Sequence, residues 1–393
     1  INAIISAAKN FYNQSGYIFI SLTIGLAVFY PFYVKTNALS SISVGILVLI
    51  LGVNGALEFF TLSKYRVLLS ADQRTYVISL ASIAHVILNT LIVTVLGIMQ
   101  VNIVILRLVA LSSIFLRSFI LMIYVKRKYK FINYREEPNF EALDKRWDAL
   151  YLQILGAIQT GAPIVILTLM SKNLKLVSVY AVFNMIMSSI NGILSIFKSG
   201  LSASFGDVIA RKEKKTLQKA YNEFEFAYYA LITIVYSIAF VTIMPFVRIY
   251  TVGVTDINYN EPLIGFLFVL NGLLYNIKTP QGMLVISAGL FRETRVQTTI
   301  QGIIVVTIGM ILAPKYGIYG VLLGSILSNI YRNIDLLFFV PKNITGLPVR
   351  NTAKRMLKII IITTLIIFLS FLLIDVNSSS FFEWIIDASL IGV

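Results

Sequence analysis

Eleven apolar stretches of about 18 to 29 residues follow one another down this 393-residue chain, and a twelfth opens at residue 381. At 1.5 Å per helical residue, about 20 residues cross a hydrocarbon core about 30 Å thick. Such a core offers no water to backbone N–H and C=O groups, so the segments that cross it singly must be helices. The spans read as 17–34, 41–69, 75–98, 102–125, 149–170, 176–197, 224–247, 262–290, 296–313, 317–340 and 356–374, with 381–393 as a last span cut short. The expected fold class is all-α and polytopic.

Composition narrows what such a chain does. It has no cysteine and one histidine, which removes a thiol nucleophile, a thiolate metal site and a disulfide framework. No metal, cofactor or catalytic residue is expected. A net charge of +15 suits nucleic acid in a soluble protein, but here the basic residues have a topological explanation. Loops on one side hold 24 Lys and Arg, seven of them in 126–146 and six in 198–219; the other side holds Lys35, Lys172, Lys175, Arg248 and Lys315. The basic side is therefore cytoplasmic, and nucleic acid is not expected as a partner. Within it, 126–148 reads as a solvated linker. The run RKEKKTLQKAYNEFEF (211–226) reads as an amphipathic helix at the inner interface, and INAIISAAKNFYNQSG (1–16) as an amphipathic lead-in. Tyr17, Tyr124, Trp147 and Trp384 fit an interfacial aromatic belt.

The chain also resembles itself. Asn54-Gly55 and Ser70-Ala71 recur as Asn271-Gly272 and Ser287-Ala288, 217 residues later. Pro31-Phe32 recurs as Pro245-Phe246, and LSSIF (111–115) as LSNIY (327–331), at nearly the same offset. A constant offset with conserved in/out direction predicts a parallel repeat about an axis along the membrane normal. The expected domains are residues 1–134, the last four helices of an N-terminal lobe; 135–148, a cytoplasmic linker; 149–345, a six-helix C-terminal lobe; and 346–393, additional helices. The offset also leads us to expect two further spans of the first lobe upstream of residue 1.

Two parallel six-span halves plus extra helices resemble the multidrug/oligosaccharidyl-lipid/polysaccharide exporter superfamily. Within it the chain is similar to the polysaccharide-repeat flippases of capsule and O-antigen assembly. The words that carry the likeness are TGAPIVILTLMSKNLKLVSVYAVFNMI (160–186), SASFGDVIARKEKKTLQKAY (202–221) and YGIYGVLLGSILSNIYRN (316–333). The resemblance implies two lobes that rock around a central cavity in the bacterial inner membrane. It also implies a cargo, an undecaprenyl-diphosphate-linked oligosaccharide moved to the outer leaflet. Membrane lipid and other polysaccharide-assembly proteins are the further partners it suggests.

Charges inside spans cost about 2.5–3.5 kcal/mol each on insertion scales, so each is a candidate for function. Arg107 and Arg117 lie in span 102–125, Lys278 in 262–290, and Arg332 with Asp335 in 317–340. Arg117 and Lys278 are expected to face the cavity and attract a diphosphate, with Arg332 at a depth related to that of Arg117. Arg332 and Asp335, at i and i+3, suit a local ion pair equally well. Arg107 is near the outer surface and has the reach to snorkel. Glu58 either carries a coupling proton or pairs with Lys64 or Arg66 on its own helix; pairing is favoured because the partners are near. His85 is expected to hydrogen-bond between helices, and Pro280 to kink its span.

Two rival functions differ in their charge needs. A cation-coupled multidrug exporter calls for carboxylates in its cavity, whereas the buried charges here are mostly basic. A membrane polymerase or glycosyltransferase calls for a long external loop, and no Walker-type loop or long external segment is present. An enzyme is not expected.

Overall fold

The computed structural model describes all residues except 1, 34–38, 134–135, 142–145, 172–173, 200, 256, 374–377 and 393. Lys35, Lys172 and the boundary expected at 134–135 lie outside the described residues, as does part of the linker expected at 135–148. The chain divides into two compact units, residues 1–144 and 145–393. Every regular element is a helix, and nine helical segments among the described residues are long and apolar enough to cross a membrane. Large side chains such as Leu22, Ile42, Ile98 and Leu372 lie exposed on the outer faces, where lipid is the matching solvent. The protein is a multi-pass, all-α membrane protein.

The first unit holds α1 (Asn2–Tyr33), α2 (Ser41–Leu57), a π-helical turn (Glu58–Leu62), α3 (Ser63–Ala71), α4 (Thr75–Ile98), α5 (Ile103–Ala110) and α6 (Ser112–Lys128). The amphipathic lead-in is thus not a separate segment but the first turns of α1. Ser40 caps α2 by accepting from the Ser43 amide, and Asn102 caps α5 by accepting from Val104 N at 2.9 Å. The span expected at 102–125 is divided at Leu111, a turn between α5 and α6. Leu62, Leu69, Ala81, Ile114 and Leu121 fill the core. At the basic end, Asp72 Oδ2 accepts from the Tyr129 hydroxyl and from Arg74 Nε, both at 2.6 Å. These donors hold the Asp72 carboxyl below its ordinary range and tie the α3–α4 turn to the end of α6.

His85 departs from expectation. Its Nδ1 is buried without a hydrogen-bond partner among the described residues, so no bridge between helices is seen through that atom.

The second unit runs α7 (Arg146–Ser171), α8 (Leu174–Ser199), α9 (Leu201–Ala210), α10 (Lys214–Tyr250), α11 (Pro262–Ile277), α12 (Thr279–Ser287), α13 (Arg295–Tyr316) and α14 (Ile318–Val340). A π-helical turn (Pro341–Thr345), α15 (Val349–Leu373) and α16 (Phe381–Gly392) complete it. The run 211–226 is not an independent interfacial helix. From Lys214 it is the start of α10 and continues unbroken into the span. Leu217, Tyr221, Glu225 and Tyr228 recur at helical spacing and are all buried, so this stripe faces the core while Lys214, Lys215 and Lys219 face outward.

The expected single span 262–290 is interrupted at Lys278, which ends α11 and precedes α12. Pro280 has no N–H for the Asn276 carbonyl four residues earlier, so the α-helical ladder fails just ahead of the proline. In the first unit a π-helical turn at Glu58–Leu62 interrupts the α-helical run between α2 and α3. Each unit also has a glycine pressed against an aromatic ring. A Cβ on Gly55 would meet the Phe19 ring at 3.0 Å, and one on Gly272 would meet the Tyr236 ring at 2.9 Å. Both ring and glycine shift by the same 217 residues between the units.

Candidate functional site

Helix α14 is not among the nine most membrane-like segments, and its interior-facing residues explain why. Ser325, Ser328, Asn329, Arg332 and Asn333 are all buried within the second unit, where α14 packs against α7, α11 and α13. The residues that lower its hydropathy are those turned toward its neighbours.

One of them, Arg332, lines a cavity of about 530 Å3 within the second unit. Three cations reach its wall from three helical segments: Lys198 from the end of α8, Lys278 from the α11–α12 junction, and Arg332 from α14. Lys278 Nζ donates to Asn329 Oδ1 at 2.7 Å and stands 4.9 Å from the centre of the Tyr275 ring. That neutral amide and aromatic face leave its charge uncancelled. Arg332 Nη1 bonds Asp335 Oδ2 at 2.6 Å. Lys198 has no side-chain hydrogen bond or ion pair among the described residues. Gln301, also on the wall, has a buried Nε2 with no acceptor among the described residues. Such a wall offers donors in excess and suits an anion.

The residues singled out in the sequence fall into three places. Lys278 and Arg332 share this cavity, and Asp335 is beside it as the partner of Arg332. Arg117 and Glu58 meet inside the first unit, where Arg117 Nη1 donates to Glu58 Oε1 at 3.0 Å. Glu58 also takes Arg66 at 3.4 Å, so its carboxylate is shared between two arginines. Arg107 lies by itself on an exposed face of α5.

No family model matches the chain, and no curated protein is detectably similar to it in sequence. The likeness to solved structures is one of fold. The lipid II flippase MurJ, in an inward closed conformation, aligns over 99% of this chain and 82% of its own at 16% identity, with a TM-score of 0.65. A MATE in the bent conformation aligns over 93% of this chain and 79% of its own at 13% identity, TM-score 0.63. A MOP superfamily transporter from Pyrococcus furiosus, described by the reverse polarity of its binding pocket, covers 92% of this chain and 83% of its own at 15% identity, TM-score 0.52. The fold is that of the MOP transporters.

On this MOP fold the sequence reading missed Lys198 and Gln301. Lys198 was counted among the basic loop residues because the span seemed to end at 197, but α8 continues through it. A signal was present: Asn184, Ser188, Asn191, Ser195 and Lys198 alternate spacings of four and three, one polar stripe down an apolar helix. Gln301 carried no comparable mark.

Proposed function

We propose that this protein is a MOP-type transporter that moves an undecaprenyl-diphosphate-linked oligosaccharide from the inner to the outer leaflet of a bacterial inner membrane by alternating access. The observation that carries this reading is the convergence of Lys198, Lys278 and Arg332 on one cavity of the second unit. A diphosphate meets there one uncancelled lysine, one unpartnered lysine and a planar guanidinium. A cationic drug finds no free carboxylate, since Asp335 is occupied by Arg332. The charge of Arg117 is largely neutralised by Glu58, so the reading rests on the second unit's cations, with Arg117 and Arg107 as secondary contributors. The two units are read as copies of one lobe, supported by the paired helix interruptions and by the Phe19–Gly55 and Tyr236–Gly272 contacts at one offset.

The test is translocation of a fluorescent lipid-linked diphosphate oligosaccharide in proteoliposomes. Lys278→Gln should slow transfer about tenfold, a loss of about 1.4 kcal/mol of interaction, while Lys278→Arg keeps most of the rate. Normal transfer by Lys278→Gln and Lys198→Gln together would remove the cationic cavity from the mechanism. Export of a cationic drug driven by a proton gradient, untouched by both substitutions, would favour the multidrug reading instead.

A further inference from the structure

The cationic cavity adjoins a second one. This cavity, of about 420 Å3, shares Gln159, Lys198 and Tyr275 with the first and lies further along the same helices. Residues 149–159 of α7 line the first cavity and 159–163 the second; on α14, Arg332 and Leu336 line the first, and Ser325, Ser328 and Asn329 the second. The chemistry changes between them. Lys198 is the one Lys, Arg, Asp or Glu on the second wall among the described residues, and the rest of its polar lining is amide and hydroxyl.

Buried amides between membrane helices commonly serve as interhelical glue, and two of these do. Asn276 Nδ2 donates to Asn191 Oδ1 and to the Tyr236 hydroxyl, both at 2.7 Å, while its Oδ1 accepts from Tyr228 at 2.8 Å. Asn329 is used equally fully, between Lys278 and Asn271. Others are not consumed. Asn184 and Ser188 have no side-chain hydrogen-bond partner among the described residues, and the Nδ2 groups of Asn191 and Asn271 have no acceptor there. An amide presents a donor beside an acceptor, and so does a pair of neighbouring sugar hydroxyls. Anions call only for donors and metal cations only for acceptors. The volume lies in the range of about 300–1,000 Å3 common to small-molecule sites.

We infer that the second cavity is a glycan compartment: it takes the uncharged sugars next to the diphosphate while the diphosphate rests among Lys198, Lys278 and Arg332. This rests on the anionic-lipid reading above. Sugar is then recognised by Asn184, Ser188, Asn191 and Asn271, and Lys198 marks the boundary between the two chemistries.

Binding to the purified full chain in lipid nanodiscs tests it, with short-chain polyprenyl diphosphates carrying no, one or two neutral hexoses as probes. The parent protein should bind the two-hexose probe about tenfold more tightly than the bare diphosphate. Asn184→Leu combined with Ser188→Leu should abolish that increment and leave bare-diphosphate binding unchanged, which also reports an intact fold. Asn184→Ala, which opens rather than blocks the compartment, should still lose most of the increment. Lys278→Gln should weaken every probe by one common factor. An increment that survives Asn184→Leu with Ser188→Leu, or is missing in the parent while the bare diphosphate binds, overturns the glycan compartment alone. Failure of all three probes to bind the parent overturns the anionic-lipid reading, and the compartment with it.

Discussion

Glu58 is shared by Arg66 and Arg117, and that sharing is measurable. Its side chain is two-fifths exposed, so the pair with Arg117 is worth about 0.5–1 kcal/mol rather than the several expected of a buried one. A double-mutant cycle of Glu58→Gln and Arg117→Gln, read by thermal unfolding in detergent, should return a coupling of about that size. A coupling near zero would mean that the two side chains do not meet. Glu225 is the opposite case. It is buried and accepts hydrogen bonds from Tyr221, Gln281, Thr352 and Arg355, which reach it from α10, α12 and α15. Glu225→Ala leaves Arg355 without its counter-ion and should cost about 3 kcal/mol, seen as a clear drop in unfolding temperature. An unfolding temperature within a degree of the parent's would contradict this role. Lys278 was legible in sequence because a lone charge in a long apolar run stands out. The partnership of Arg117 with Glu58 was not, since nothing local joins residues 59 positions apart. Glu225 was hidden among the charges of a segment that looked wholly interfacial.

Among the elements, α13 and α14 approach most intimately. A Cβ on Gly324 would meet Gly309 N at 3.0 Å and Val305 O at 3.1 Å, and one on Gly320 would press on the Leu312 carbonyl carbon at 2.6 Å. Backbone cannot step aside as a flexible side chain can, so Gly324→Val should destabilise by about 1–3 kcal/mol or more. Gly156→Ala, where nothing lies within 4 Å, should leave the melting temperature nearly unchanged. Equal melting of both variants with the parent would refute close packing at Gly324. Helix existence was readable from hydropathy, because hydrocarbon thickness sets how long an apolar run must be; direction was read from the loop charges instead. Interruptions were less readable. Pro280 announced the break at Lys278, whereas the π-helical turn at Glu58–Leu62 and the turn at Leu111 contain no proline or glycine and left no local trace. The continuity of α10 was missed because charge density conceals a buried stripe when only its outer face is counted.

For the whole molecule, the 24-to-5 distribution of Lys and Arg predicts which loops face the cytoplasm. The parent contains no cysteine, so single introduced thiols report without background. Cysteines at Lys212 or Lys342 should resist an impermeant maleimide in intact cells, and those at Val252 or Asn258 should react. Outside labelling of the basic loops would invert the topology. The repeat is proposed from a constant offset that links a few word pairs while most residues between them differ. The stacked cavities were not legible in sequence, since they depend on which face of each helix turns inward. One consequence concerns stiffness. The α11 side of the Lys278 break is fastened through Asn276 to α8 and α10, and the α12 side through Gln281 to α10 and through Ser287 to α9. Between the clamped arms lies the joint, residues 277–279, where the helical ladder of backbone hydrogen bonds is interrupted. Hydrogen exchange should therefore be faster at the Lys278 and Thr279 amides than in the arms on either side. The residue at this joint, tied by its Nζ to Asn329, is also the one that carries charge, so a bound anion loads the elbow at its pivot rather than at the end of a lever.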